Sequence, residues 1–195
     1  NIFNSNYFCN SYETDVSCDD TSETNTGSGN FMDTIEYCEA PAETNCELEL
    51  HESYDGQTYL LDAPLECSSP FIAVNISAND FTFDCQGHSI TGDLTISSFG
   101  IVIRGDNVNI QNCVIEDFYV GIGLISSSST GGEGAQILNT EILNSIRYGL
   151  LVPDFGLSLS NVIVDGSGVN VYIAGTKDIV VGSSSFCSSS AIDLE

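Results

Sequence analysis

The chain has 195 residues, 42% of them hydrophobic, enough for one domain with a real core. Its formal charge of −25 sets three basic residues, Arg104, Arg147 and Lys177, against 28 acids. That balance argues against nucleic acid, anionic membrane surfaces and polyanionic substrates as partners, since each needs a basic footprint, and no segment reads as a membrane-inserting span.

Residues 1–57 differ from the rest. They hold four of the eight cysteines, Cys9, Cys18, Cys38 and Cys46, and no Lys or Arg, and SCDDTSETNTGSGN at 17–30 is acidic and turn-like. Phe31, Ile35, Tyr37, Leu48 and Leu50 supply packing material, so the segment is expected to be a disulfide-pinned extension or cap. A cap suits the repeats that begin at Tyr59, because the first coil of a solenoid exposes unpaired strand edges. The polar start, NIFNSNYFCN, fits a mature secreted chain.

The remaining cysteines are Cys67, Cys85, Cys113 and Cys187. An even number without CxxC or zinc-type spacing points to disulfides and a secreted, extracellular location. The first four are expected to pair locally. Cys85 and Cys113 lie about one coil apart, a spacing suited to a bridge between stacked coils, and Cys187 is left over if the others pair internally. One glycosylation sequon, Asn75-Ile76-Ser77, is expected to carry glycan.

From Tyr59 to about Ser190 the chain repeats. IQNCVI at 110–115 returns as ILNTEI at 137–142, LSNVIV at 159–164 and the degraded VGSSSF at 181–186. Between these phrases come GIVI at 100–103, GIGL at 121–124, GLLV at 149–152 and VNVYIA at 169–174. Aliphatic residues alternate with small or polar ones, the two-residue period of β-structure, and Gly, Asn, Asp and Ser mark the corners. The pattern predicts about six coils of an all-β parallel β-helix over 58–195. Asn112, Asn139 and Asn161, with Ser183 after them, are expected to stack as a ladder at the strand spacing of roughly 4.8 Å. In such a ladder each side chain bonds to its equivalents above and below.

The run FDCQGHSITG at 83–92, followed by GIVIRGDNVNIQNCVIEDFYVGIGL at 100–124, resembles the right-handed parallel β-helix repeat proteins of pectate-lyase-like fold. The resemblance covers roughly residues 58–190 and implies the fold strongly and the function weakly, because that group includes lyases, epimerases, metal-insertion factors, tailspikes and surface proteins. It also implies a right-handed winding of the coils and that His88 is a corner residue.

Function has to come from sites. A lyase of this fold needs a basic residue to take a proton beside a carboxylate, and cations to neutralise the substrate. Arg104, Arg147 and Lys177 fall at different registers, so they are expected to be solvated or locally paired. A hydrolase needs two facing carboxylates. Glu116 and Asp165 share a face, but they are two coils apart with Leu143 between, a separation near 10 Å. His51 stands alone. SSSSTGGEGA at 126–135 is an inserted loop, a place for ligand contacts. Its GGEGAQI has a partial likeness to calcium-binding nonapeptides, but Gln136 replaces the required Asp, so no metal is expected there.

These features predict a structural, non-enzymatic protein without cofactor. It would be a subunit or segment of an extracellular filament, surface appendage or matrix that stacks end to end on copies of itself through an uncapped last coil. Glycans and divalent cations are the other expected partners. A carbohydrate-binding or polysaccharide-modifying β-helix is the alternative, and a viral or phage spike the second.

Overall fold

Branched apolar side chains recur at the same height in successive coils, and their stacking builds the core. The structure is a computed structural model that describes residues 5–8, 30–32, 46–68, 70–125, 132–153, 155–174, 178–188 and 191–194. The chain divides into two compact units, Asn1–Glu43 and Thr44–Glu195. In the first, β1 (Ser5–Phe8) pairs in parallel with β2 (Asn30–Met32). Cys9, Cys18, Cys38 and the packing residues Ile35 and Tyr37 lie outside the described residues, as do 126–131 and Lys177.

The second unit is an all-β parallel solenoid. Its first coil holds β3 (Leu48–Leu50), β4 (Thr58–Leu60) and β5 (Leu65–Glu66). The next two coils repeat this as β6 (Ile72–Ile76), β7 (Thr82–Asp84), β8 (Ser89–Thr91), then β9 (Phe99–Ile103), β10 (Asn109–Gln111), β11 (Val114–Glu116). In the following coils the second and third segments fuse. β12 (Val120–Leu124) leads to β13 (Ala135–Leu143), and β14 (Tyr148–Pro153) to β15 (Leu157–Asp165). Last come β16 (Val169–Ala174), β17 (Ile179–Gly182), β18 (Ser185–Cys187) and β19 (Ala191–Leu194). Every pairing is parallel, and the strands form a seven-stranded sheet (β3, β6, β9, β12, β14, β16, β19) and a ten-stranded sheet.

Three apolar columns run through the interior. Tyr59, Phe83, Ile110, Ile137, Leu159 and Val181 share one register. Leu65, Ile90, Ile115, Ile142, Val164 and Phe186 share the second. Leu48, Val74, Ile101, Ile122, Leu150 and Val171 make the third. Phe83 through Ile137, Ile90 through Val164 and Val74 through Leu150 are fully buried, and each such side chain contributes about 1.5–3 kcal/mol of burial.

Two expectations need correction. The solenoid begins before residue 58, because β3 pairs with β6 inside the segment expected to be a cap. Cys46 does not pair among the first four cysteines; it bonds Cys67, 21 residues on, and closes the first coil. The Cys85–Cys113 bridge joins the second coil to the third, with Cα atoms 4.9 Å apart, as its spacing suggests.

Candidate functional site

The Asn corners combine two roles. Asn112, Asn139 and Asn161 all take left-handed backbone angles (φ 56°, 47° and 54°), which Asn tolerates better than other residues with a Cβ. Their side chains also stack. Asn161 Nδ2 donates to Asn139 Oδ1 at 3.0 Å, and Asn139 Nδ2 to Asn112 Oδ1 at 3.4 Å. Ser183 has the same corner backbone (φ 48°), but here Ser184 Oγ makes the cross-coil bond, accepting the Val162 N–H at 3.1 Å. For Asn139→Ala we expect a loss of about 1.5 kcal/mol, from two exposed bonds and from the left-handed strain that Asn tolerates and alanine does not. Asn139→Gly relieves the second cost and should lose about a third as much; urea midpoints of the two variants check the order.

The ladder ends on Asp84. Asn112 Nδ2 donates to its Oδ1 at 2.9 Å, the Gln86 N–H donates to the same oxygen at 2.8 Å, and Gln111 Nε2 donates to Oδ2 at 2.8 Å. Burial pushes this carboxyl up, but the three donors outweigh it and hold it below its ordinary value of 3.8. A depressed folded-state pKa means that the stabilisation is complete above the unfolded value and is lost as pH falls through the folded one. Asp84→Asn should therefore flatten the stability profile below about pH 4; acid titration by circular dichroism tests this, and an unchanged profile counts against it.

A second ladder is built from a mixture of Asp, Asn and Glu. Asp55 Oδ1 accepts the Asn79 N–H at 2.7 Å, Asn79 Oδ1 the Asp106 N–H at 2.9 Å, and Asp106 Oδ1 the Glu133 N–H at 3.0 Å. The residue after each is left-handed: Gly56, Asp80, Asn107 and Gly134. Glu133 and Gly134 of the inserted segment thus belong to a structural corner. No group of three or more His, Cys, Asp or Glu among the described residues is placed to hold a metal ion.

The other candidates are held locally. Arg104 Nε donates to Asn75 Oδ1 at 3.0 Å and its Nη1 to the Ile125 carbonyl at 3.3 Å. Asn75 in turn donates through Nδ2 to Glu49 Oε2 at 2.8 Å, so the amide nitrogen that a glycan would occupy already ties two coils together. Arg147 Nη1 donates to the Tyr119 hydroxyl at 3.0 Å, which raises its pKa further, and its guanidinium lies 5.0 Å from the Tyr148 ring centroid. Tyr148 contacts Tyr172 with ring centroids 5.1 Å apart. Glu116 accepts a bond from Thr91 Oγ1 at 3.0 Å, and Leu143 stands between it and Asp165 in register. Two coil steps put these carboxylates about 10 Å apart, beyond the roughly 6.5–9.5 Å of an inverting pair. His51 Nδ1 lies 3.0 Å from Ser53 Oγ, and His88 makes a corner, its N–H donating to the Cys85 carbonyl.

β17 and β18 pair with β15 alone, so their outer edges have no strand partner among the described residues. Val181, inward-facing by register with Leu159, is 50% exposed, and Val180 is 63% exposed. Cys187 is free and exposed beside them.

No protein-family model matches the chain, and no curated protein or solved structure matches it. Among the described residues no helix is long and apolar enough to cross a membrane.

Proposed function

We propose that this chain is a secreted, non-enzymatic structural segment of an extracellular filament, surface appendage or matrix, built on a pectate-lyase-like β-helix and assembled by stacking of copies and by disulfides. The observation that carries this reading is the regular stack itself: apolar columns and an Asn ladder repeat from coil to coil, and among the described residues β17 and β18 offer edges on which a further coil can be laid. Such an edge templates another strand. A coil from a second copy would continue the columns and ladders at the same spacing. The contact joins unlike surfaces, so it propagates instead of closing. Exposed Cys187 lies on β18, and in an oxidising medium, with oxygen as the electron acceptor, it would form a disulfide to any unpaired thiol that a second copy presents there. The two disulfides among the described residues agree with an oxidising location. The charge of −25 keeps finished fibres apart or lets divalent cations bridge them.

Sedimentation velocity in oxidising buffer, with non-reducing electrophoresis, tests the proposal. The expected result is a series of non-covalent oligomers that grows with concentration, which Cys187→Ser keeps, and a disulfide-linked species on the gel, which Cys187→Ser loses. A monomer at every concentration, with no disulfide-linked species, sinks it.

A second reading, glycan binding on the lateral face, draws on the Tyr119–Arg147–Tyr148–Tyr172 cluster, whose rings and guanidinium offer a stacking platform. Neutral-glycan binding lost in Tyr148→Ala would favour it over assembly.

A further inference from the structure

We propose that the interior space bounded by β15 to β18 is a binding site for a small neutral alcohol with an apolar body. The sign of it is a break in the coil pattern. Gly100, Gly121 and Gly149 share one inward register, and a Cβ at each would collide with the Ile115, Ile142 or Val164 side chain of its own coil. One step further the same position is Asn170. The residue facing it is Phe186, next in the Ile115–Ile142–Val164 column.

Asn170 is only 1% exposed. Its Nδ2 donates to the Cys187 carbonyl at 2.7 Å, while Oδ1 is buried with no hydrogen-bond partner among the described residues. An unpaired buried carbonyl oxygen is a cost to the fold unless something donates to it. Beside it lies a cavity of about 310 Å³ lined by Leu157, Leu159, Ile179, Val181 and Phe186 among others, with Asn170 its one polar side chain. Apolar walls with a single fixed polar group are the ordinary make-up of a small-molecule site, in which burial supplies affinity and the polar group orientation.

Size and polarity set the chemistry of the occupant. At a liquid share of about 30 Å³ per water, the space suits on the order of ten non-hydrogen atoms. The unpaired group is an acceptor, so the ligand must donate, and a hydroxyl does. A carboxylate offers no donor and meets a chain of charge −25. The site belongs to the unassembled chain, since a coil stacked on β17 and β18 would cover Val181, so the outcome of its test is separate from that of the assembly reading.

Calorimetric titration of the full chain tests it with three probes: 1-octanol, its isomer heptyl methyl ether, which has the same size but no donor, and octanoate. Saturable 1:1 binding of 1-octanol is expected, about tenfold weaker for the ether and absent for octanoate. Val181→Phe, which fills the cavity from its solvent-facing wall, should abolish binding, and Asn170→Leu should make alcohol and ether equal. No saturable binding of 1-octanol, or equal binding of alcohol and ether by the unmodified chain, overturns the proposal; the second comparison requires no variant to fold.

Discussion

Replacing Cys85 and Cys113 together by alanine is expected to lower the stability of the solenoid by about 3–4 kcal/mol. The bridge spans 28 residues, and removing a cross-link of that span restores to the unfolded chain an entropy between the values for a 15-residue and a 100-residue loop. The native state loses as well. Both cysteines are buried, at 0% and 1% exposure, so two alanines leave unfilled space among Phe83, Ile110 and the other core residues. The location makes the loss consequential, because a solenoid is held by interfaces between neighbouring coils. This bridge pins the interface that also carries the Asn112–Asp84 bond. Urea unfolding without reductant should show a lower midpoint for the double variant. A loss under 1 kcal/mol would mean that stacking alone sets the strength of this interface.

The parts of this fold that repeat as identical residues could be read from the sequence, and the parts that repeat only as geometry could not. The Asn corner was visible because Asn112, Asn139 and Asn161 are the same residue in the same phrase, and the left-handed backbone explains why the phrase tolerates so little change. The second ladder performs a similar task with Asp55, Asn79, Asp106 and Glu133. No single residue type runs through it: Asp, Asn, Asp and Glu follow one another. Its signal was a pair, an oxygen-bearing side chain followed by Gly, Asp or Asn, at separations of 24, 27 and 27 residues. The first coil was hidden for a different reason. Leu48–Leu50 gives only one alternation within an acidic stretch, and only its pairing with Val74–Ile76 identifies it as a strand. The Cys46–Cys67 partner was likewise fixed by coil closure, which residue spacing did not reveal. At the candidate sites the sequence separated Arg104 from Arg147 correctly but could not show their partners. Asn75, Ile125 and Tyr119 are brought to them by coil stacking, 21 to 29 residues away in the chain.

Gly105→Ala is expected to cost about 3 kcal/mol or more, or to prevent folding, although alanine is the smallest change available. Gly105 sits just past β9, and its N–H donates to the Ile76 carbonyl of the coil below at 3.2 Å. A Cβ there would run into the Ala78 carbonyl oxygen and lie 2.6 Å from the Ala78 carbonyl carbon. A flexible side chain could move aside, but this backbone is fixed from below. The Ser77 and Ala78 N–H groups both donate to the Leu50 carbonyl, at 2.8 and 3.0 Å. Relief would therefore have to come from separating coils, which breaks β6–β9 pairing on one side or β3–β6 pairing on the other. Gly56→Ala provides the control. Gly56 has φ +69° with nothing within 4 Å of its would-be Cβ, so alanine there meets only backbone strain of about 1–2 kcal/mol. Urea unfolding of both variants decides the matter. If Gly105→Ala costs no more than Gly56→Ala, the close approach of coils at this corner is not what holds their spacing, and the burden shifts to the apolar columns.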